Sequence, residues 1–196
     1  GYIHRFDLAE GKAFKVTIQI LEDFIGSRPS LKDVSKNIGS YEISPEGKRG
    51  LFSARGDIFT VPAKEGVTRN LTSSSGVHDR NPKWSPDGKW IAYFTDKTGE
   101  YQLDIQSQDG KNTTKSFKLT GTGFYANTKW SPDSKKIVTV AQEKPASTIY
   151  VIDTETGNSE KQNTPRFVQI EQTIWNTQGN GILLVGREKD RFFQLW

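Results

Sequence analysis

The side chains able to do chemistry are few. The chain has two histidines, His4 and His78, and no cysteine or methionine. A hydrolytic triad needs a Ser or Cys, a His and a carboxylate converging in space. His78 stands beside Asp79 and Arg80, in a loop entering a strand-like run, and His4 sits in an alternating run. No Gly-x-Ser-x-Gly elbow exists for either to serve, so no catalytic set is expected. Two distant imidazoles without a thiolate do not make a usual zinc set. No Asp-x-Asp-x-Asp-Gly loop offers calcium ligands, and no Gly-rich motif cradles a phosphate. Neither a metal nor a cofactor is therefore expected.

What does recur is hydrogen-bonding capacity. Ser40, Asn81, Asn127 and Gln172 occupy one repeated position, three residues ahead of the apolar residues Ile43, Trp84, Trp130 and Trp175. All four are polar within runs that otherwise lead into a core. With Arg80, Tyr125, Glu171 and His78, they are expected to face a central channel and bind peptide. The alternative is that they satisfy neighbouring backbone groups or water.

The elements that must position these residues come from an internal repeat. Ile43-Ser44-Pro45-Glu46-Gly47-Lys48 returns as Trp84-Ser85-Pro86-Asp87-Gly88-Lys89 and Trp130-Ser131-Pro132-Asp133-Ser134-Lys135. A decayed copy reads Trp175-Asn176-Thr177-Gln178-Gly179-Asn180. The steps from one copy to the next are 41, 46 and 45 residues. Pro fixes φ and Asp-Gly supplies tight hairpin geometry, so each copy is a turn. The repeated Ser44, Ser85 and Ser131, and the acidic Glu46, Asp87 and Asp133, fit that turn rather than a catalytic site.

Strand-like runs follow each turn at Leu51 to Ala54, Trp90 to Thr95, Ile137 to Val140 and Ile182 to Val185. Alternating runs come next at Asp57 to Val61, Tyr101 to Ile105, Thr148 to Ile152 and Phe192 to Trp196. Short fourth runs close three units at Arg69 to Thr72, Phe117 to Thr120 and Ser159 to Asn163. Nothing reads as a long amphipathic helix. Four short strands per unit define an all-β fold, a partial β-propeller of four-stranded antiparallel blades. Three full blades are expected near residues 38–72, 79–120 and 125–163, with a partial blade over 168–196. Residues 1–34 would hold the last strands of a preceding blade plus a linker containing Arg28-Pro29-Ser30, and 35–196 the propeller blades. Trp84, Trp130 and Trp175 are expected to fill the space between adjacent blades.

Composition narrows the remaining classes. The 196 residues carry 27 Lys+Arg against 23 Asp+Glu, and the basic residues are scattered. A solvated surface, not a nucleic-acid partner, is expected. The longest aliphatic run, Ile182 to Val185, is far short of a membrane span, so no membrane partner is expected. The aromatic share of 11% argues against disorder. Without cysteine the compartment stays open, cytoplasmic or periplasmic. A start at Gly1 without methionine is expected of a processed or excised piece.

One stretch is specific. Ser53-Ala54-Arg55-Gly56-Asp57-Ile58-Phe59-Thr60-Val61-Pro62-Ala63-Lys64-Glu65-Gly66 resembles the propeller region of the tricorn protease family. The likeness continues through Thr68-Arg69-Asn70-Leu71-Thr72, Gly76-Val77-His78-Asp79-Arg80, Trp84 to Tyr93 and Asp96 to Tyr101, over roughly residues 1–142. The last third, with Ile182 to Arg187 and Phe192 to Trp196, is more similar to TolB-type propellers. The resemblance implies a non-catalytic propeller module of a serine peptidase, gating or recognising peptides. The catalytic Ser and His of that family lie in domains to which no residue of this chain corresponds. The partners implied are peptides or proteins and the remaining domains of a larger parent. Two other readings stand beside it. One is a TolB-like scaffold for protein partners. The other is an engineered or self-assembling fragment whose open strand edges make a homo-oligomer.

Overall fold

The computed structural model describes residues 3–19, 32–111, 115–119, 124–143 and 145–196. The expected Arg28-Pro29-Ser30 linker and the last residue of the run expected at Phe117 to Thr120 lie outside those residues. The chain divides into two compact units, residues 1–33 and 34–196.

The first unit holds a hairpin. β1 (His4–Asp7) pairs antiparallel with β2 (Lys12–Lys15), placing His4 opposite Lys15. Asp7 closes the turn, its Oδ1 accepting from the Ala9 and Glu10 amides at 3.0 and 3.2 Å.

The second unit opens with a single 3₁₀ turn, Ser35–Asn37, followed by four antiparallel sheets in chain order. The first comprises β3 (Ile38–Ile43), β4 (Arg49–Ala54), β5 (Asp57–Pro62) and β6 (Arg69–Asn70). The second comprises β7 (Arg80–Trp84), β8 (Trp90–Thr95), β9 (Gln102–Ser107) and β10 (Lys115–Phe117). The third comprises β11 (Phe124–Trp130), β12 (Lys136–Glu143), β13 (Ala146–Asp153) and β14 (Ser159–Lys161). The fourth has three strands, β15 (Phe167–Trp175), β16 (Ile182–Glu188) and β17 (Gln194–Leu195). Every strand pairs with its sequence neighbour, so each sheet is a meander. In the second sheet the fourth strand starts two residues before the expected Phe117, because Lys115 already pairs with Ile105. In the fourth sheet Phe192 and Phe193 stay out of the ladder.

The repeated turn works through its serine. The Ser44 Oγ accepts from the Lys48 and Arg49 amides, Ser85 Oγ from the Trp90 amide at 2.9 Å, and Ser131 Oγ from the Lys136 amide at 2.8 Å. The Ser85 and Ser131 hydroxyls in turn donate to Asp87 and Asp133. In the decayed copy Asn176 does the same work: its Oδ1 accepts from the Asn180 and Gly181 amides at 3.1 and 3.2 Å. The third turn residue takes positive φ in every copy, at Gly47, Gly88, Ser134 and Gly179. Serine is strained there. Its hydroxyl has a use, accepting from the Asp87 amide at 3.1 Å and so stapling two neighbouring turns together.

The core lies between sheets. Leu51 and Ile58 of the first sheet meet Trp84, Ile91 and Tyr93 of the second. Phe94, Leu103 and Ile105 of the second meet Tyr125, Trp130, Ile137 and Ile152 of the third. Val138, Val140 and Ile149 of the third meet Phe167, Ile170 and Leu184 of the fourth. Strand alternation explains this: Ile91 and Tyr93 face back while Ala92 and Phe94 face forward, so a single strand supplies two cores.

Candidate functional site

The first strands of successive sheets, β3, β7, β11 and β15, lie against one another, so they form the hub on which the candidate residues sit. Each of these strands slips register at the candidate position: between Ile38 and Ser40, Arg80 and Lys83, Ala126 and Lys129, and Ile170 and Gln172. Such a break in register re-aims side chains, as β-bulges do. Asn81 and Asn127 both have φ of 52° there. Asparagine tolerates the left-handed region better than other side chains with a Cβ. Backbone geometry thus gives a reason for asparagine at those two positions that the spacing alone did not reveal.

The side chains go to different places. Ser40 Oγ pairs with Ser53 Oγ at 2.7 Å within its own sheet. Asn127 Nδ2 donates to the Ile170 carbonyl at 3.1 Å, and the Asn127 carbonyl accepts from Thr173 Oγ1 at 2.8 Å. The channel-facing role expected of Asn127 is therefore corrected: its amide stitches the hub strands of two sheets together. Tyr125 is corrected likewise. It is 1% exposed and stacks on Phe94 with centroids 5.4 Å apart, so it belongs to the core. Asn81 is half-buried. Glu171 and Gln172 are exposed. With Asn127, Lys129, Thr173 and Ile174 they line an open cleft of about 370 Å³ between the third and fourth hub strands. Gln169 Nε2 donates to Glu171 Oε1 at 2.6 Å beside it.

His78, Asp79 and Arg80 gather at the start of the second hub strand. His78 is exposed; its amide donates to Asp96 Oδ1 at 2.7 Å and its Nδ1 lies 3.0 Å from Tyr101 Oη. Asp79 is 2% exposed, and neither carboxylate oxygen makes a hydrogen bond of good geometry. Burial pushes its carboxyl above the ordinary value, and the nearby Thr95 and Thr72 hydroxyls hold it partly back. Arg80 points the other way, into the aromatic rings of Phe94, Tyr101 and Phe124. Burial lowers its affinity for a proton, while Tyr101 and Asp96 raise it. Among the described residues, no group of three or more His, Cys, Asp or Glu side chains is placed to hold a metal ion. No helix among them is long and apolar enough to cross a membrane.

The tryptophans fill the joints between sheets. Trp130 Nε1 donates to the Lys83 carbonyl and Trp175 Nε1 to the Lys129 carbonyl, each at 3.1 Å. In both cases the acceptor is the residue just before the tryptophan of the preceding sheet. Trp84 is the exception: its Nε1 is buried with no partner among the described residues. Its amide instead donates to Glu42 Oε2 at 2.6 Å, and Glu42 also pairs with Lys83 at 3.5 Å.

Meander sheets packed face to face about a shared set of first strands define a β-propeller, here three four-stranded blades and one three-stranded blade in the second unit. The chain belongs to the TolB beta propeller domain family, whose model matches residues 6–191. Among curated proteins it is 34% identical over 93 residues to an uncharacterised protein of Agrobacterium fabrum, covering 44% of this chain and 31% of that one. It is 26% identical over 163 residues to dipeptidyl-peptidase 5 of Porphyromonas gingivalis, covering 77% and 22%. It is 25% identical over 100 residues to putative tricorn protease homolog 2 of Streptomyces coelicolor, covering 50% and 8%. The crystal structure of TolB from Acinetobacter baumannii superposes with a TM-score of 0.65 at 18% identity, covering 82% of this chain and 41% of that one. This last likeness is one of fold. The chain spans less than a third of the length of these curated relatives.

Proposed function

We propose that this chain is the peptide-recognising propeller portion of a peptidase-like protein and carries no hydrolytic step of its own. In this reading the hairpin of the first unit ends a preceding blade. The observation that carries the proposal is the hub cleft between the third and fourth blades. Its rim offers Lys129, Glu171 and Gln172, groups suited to peptide amides and charged termini, while the neighbouring Asn127 fixes the two strands. Two relatives named as peptidases support the choice of ligand.

The test is fluorescence anisotropy with fluorescein-labelled peptides of three to ten residues. The doubly substituted Glu171→Ala/Gln172→Ala protein keeps its fold, because both side chains are exposed. It should bind about fivefold or more weakly. Equal binding by both proteins overturns the cleft. Cleavage of a fluorogenic peptide that disappears in His78→Ala overturns the non-catalytic reading.

A second reading, a scaffold for protein partners, is favoured by the TolB family match itself. Pull-down of a folded partner, together with no binding of short peptides, would select it.

A further inference from the structure

Arg80 is the most unusual charged residue among those described. It is 7% exposed, and among the described residues no carboxylate is in salt-bridge contact with it. Its guanidinium carbon sits 3.7 Å from the Phe124 ring centroid and 4.1 Å from that of Tyr101, with Phe94 at 5.9 Å. Aromatic faces attract the cation and replace part of its lost hydration. They offer nothing to its N–H groups, which project from the edge of the guanidinium plane. Both Nε and Nη2 are buried there without an acceptor. These two nitrogens share one edge. Together they form the side-on fork that meets both oxygens of a carboxylate with parallel hydrogen bonds.

A buried charged donor left unpaired is costly, and folded proteins rarely keep one without a use. The neighbouring carboxylate does not fill the fork. Asp79 precedes Arg80 in the chain, and its surroundings are Thr95 and Asp104 of its own sheet and Thr72 and Asp57 of the first blade. Arg80 faces the third blade, as strand alternation requires. The two rings nearest the guanidinium differ in their surroundings: the Tyr101 hydroxyl lies 3.0 Å from His78 Nδ1, whereas Phe124 is 50% exposed.

We propose that the free fork of Arg80 is a carboxylate-binding site, which takes the carboxylate of a peptide entering between the second and third blades where their first strands begin. Phe124 turns aside to admit it, and Tyr101 keeps the guanidinium plane fixed. The site rests on the peptide-recognising reading above and adds a chemical requirement to it: the ligand must carry a carboxylate.

The test follows the Arg80 Nε–Hε cross-peak by ¹H–¹⁵N NMR in the intact chain, identified by its absence in Arg80→Lys. The titrants are N-acetyl-Ala-Ala-Ala as free acid, the same peptide as its C-terminal amide, amidated N-acetyl-Ala-Asp-Ala, and inorganic phosphate. A saturable downfield shift with the free acid and none with its amide supports a terminal-carboxylate site. A matching shift with the amidated Asp peptide supports a site that also takes acidic side chains. The same saturable shift with phosphate overturns the carboxylate assignment in favour of any small anion. No shift with any titrant overturns the site and leaves an ordered water as the occupant of the fork. Peptide binding by anisotropy without movement of the Arg80 signal overturns this site alone, whereas absence of all peptide binding overturns the broader reading too. Phe124→Ala, which leaves the fork intact, should bind the free acid at least as tightly. About tenfold weaker binding by that variant overturns the covering role of Phe124.

Discussion

The joint between the first and second blades and the joint between the second and third are built from the same repeat but held differently. The second joint is the larger apolar one, with Phe94, Leu103, Tyr125, Ile137 and Ile152 around Trp130, whose indole reaches the Lys83 carbonyl. The first joint has a smaller apolar cluster, around Leu51, Ile58 and Trp84. It substitutes Glu42, bound to Lys83 and to the Trp84 amide, for the indole bond, and leaves Trp84 Nε1 unpaired. It also buries Asp79 without a donor of good geometry. The tryptophan of the repeat therefore has two separable jobs, filling volume and donating one hydrogen bond. Only the first is needed for a blade to dock.

Trp130→Ala should lower stability by about 3–5 kcal/mol in urea melts, through lost burial and a residual cavity. The milder Trp130→Phe should still cost about 1–2 kcal/mol, because it leaves the Lys83 carbonyl without its indole donor. Trp84→Phe has no such bond to lose and should stay within about 1 kcal/mol of the parent. Equal losses for the two Phe variants would show that the indole bond contributes nothing to the joint.

Asp79 gives the next effect. Its folded pKa is raised above the ordinary value of 3.8, so the folded state holds that proton more tightly than the unfolded chain. The charged form is then a penalty. It is absent below the unfolded value, grows as pH rises through the raised folded value, and is constant above it. Asp79→Asn should therefore raise stability by about 1 kcal/mol at neutral pH. The gain should shrink as melts are run at lower pH. A gain that stays constant down to acidic pH would show that desolvation of the charge is not its source.

The smallest effect sharpens the second joint. Ser134→Gly relieves a positive φ but removes the hydroxyl that accepts from the Asp87 amide. Strain relief and a lost hydrogen bond are each about 1 kcal/mol, so chemical melts should move by less than about 0.5 kcal/mol. A gain well beyond that would mean the staple contributes nothing.

The repeat and the blade count were legible in the sequence because turn chemistry at a fixed spacing is a local signal. Trp84, Trp130 and Trp175 stood out for the same reason; the indoles of the last two donate to carbonyls of the preceding sheet. The hub residues were legible as a position but not as an environment. Polarity at Asn127 suggested a solvent-facing amide, whereas a bulge turned it onto the Ile170 carbonyl of the next blade. Tyr125 was misplaced because neighbours along the strand cannot say which face meets Phe94. Glu42 carried no motif, since its partners are Lys83 and Trp84 one repeat away. The aromatic clamp on Arg80 draws on Phe94 and Phe124, in strands of two blades, and on Tyr101 just ahead of β9, and no local pattern links them.

Cores that lie between sheets also govern how the second unit comes apart. Each blade is joined chiefly to its immediate neighbours, so unfolding is a nearest-neighbour problem, closer to unzipping than to melting a single globule. Releasing an end blade forfeits one joint; releasing an inner blade forfeits two. Amide hydrogen exchange within the second unit should be faster in β3 to β6 and in β15 to β17, and slowest in β8, β9 and β12, where two joints protect the same backbone.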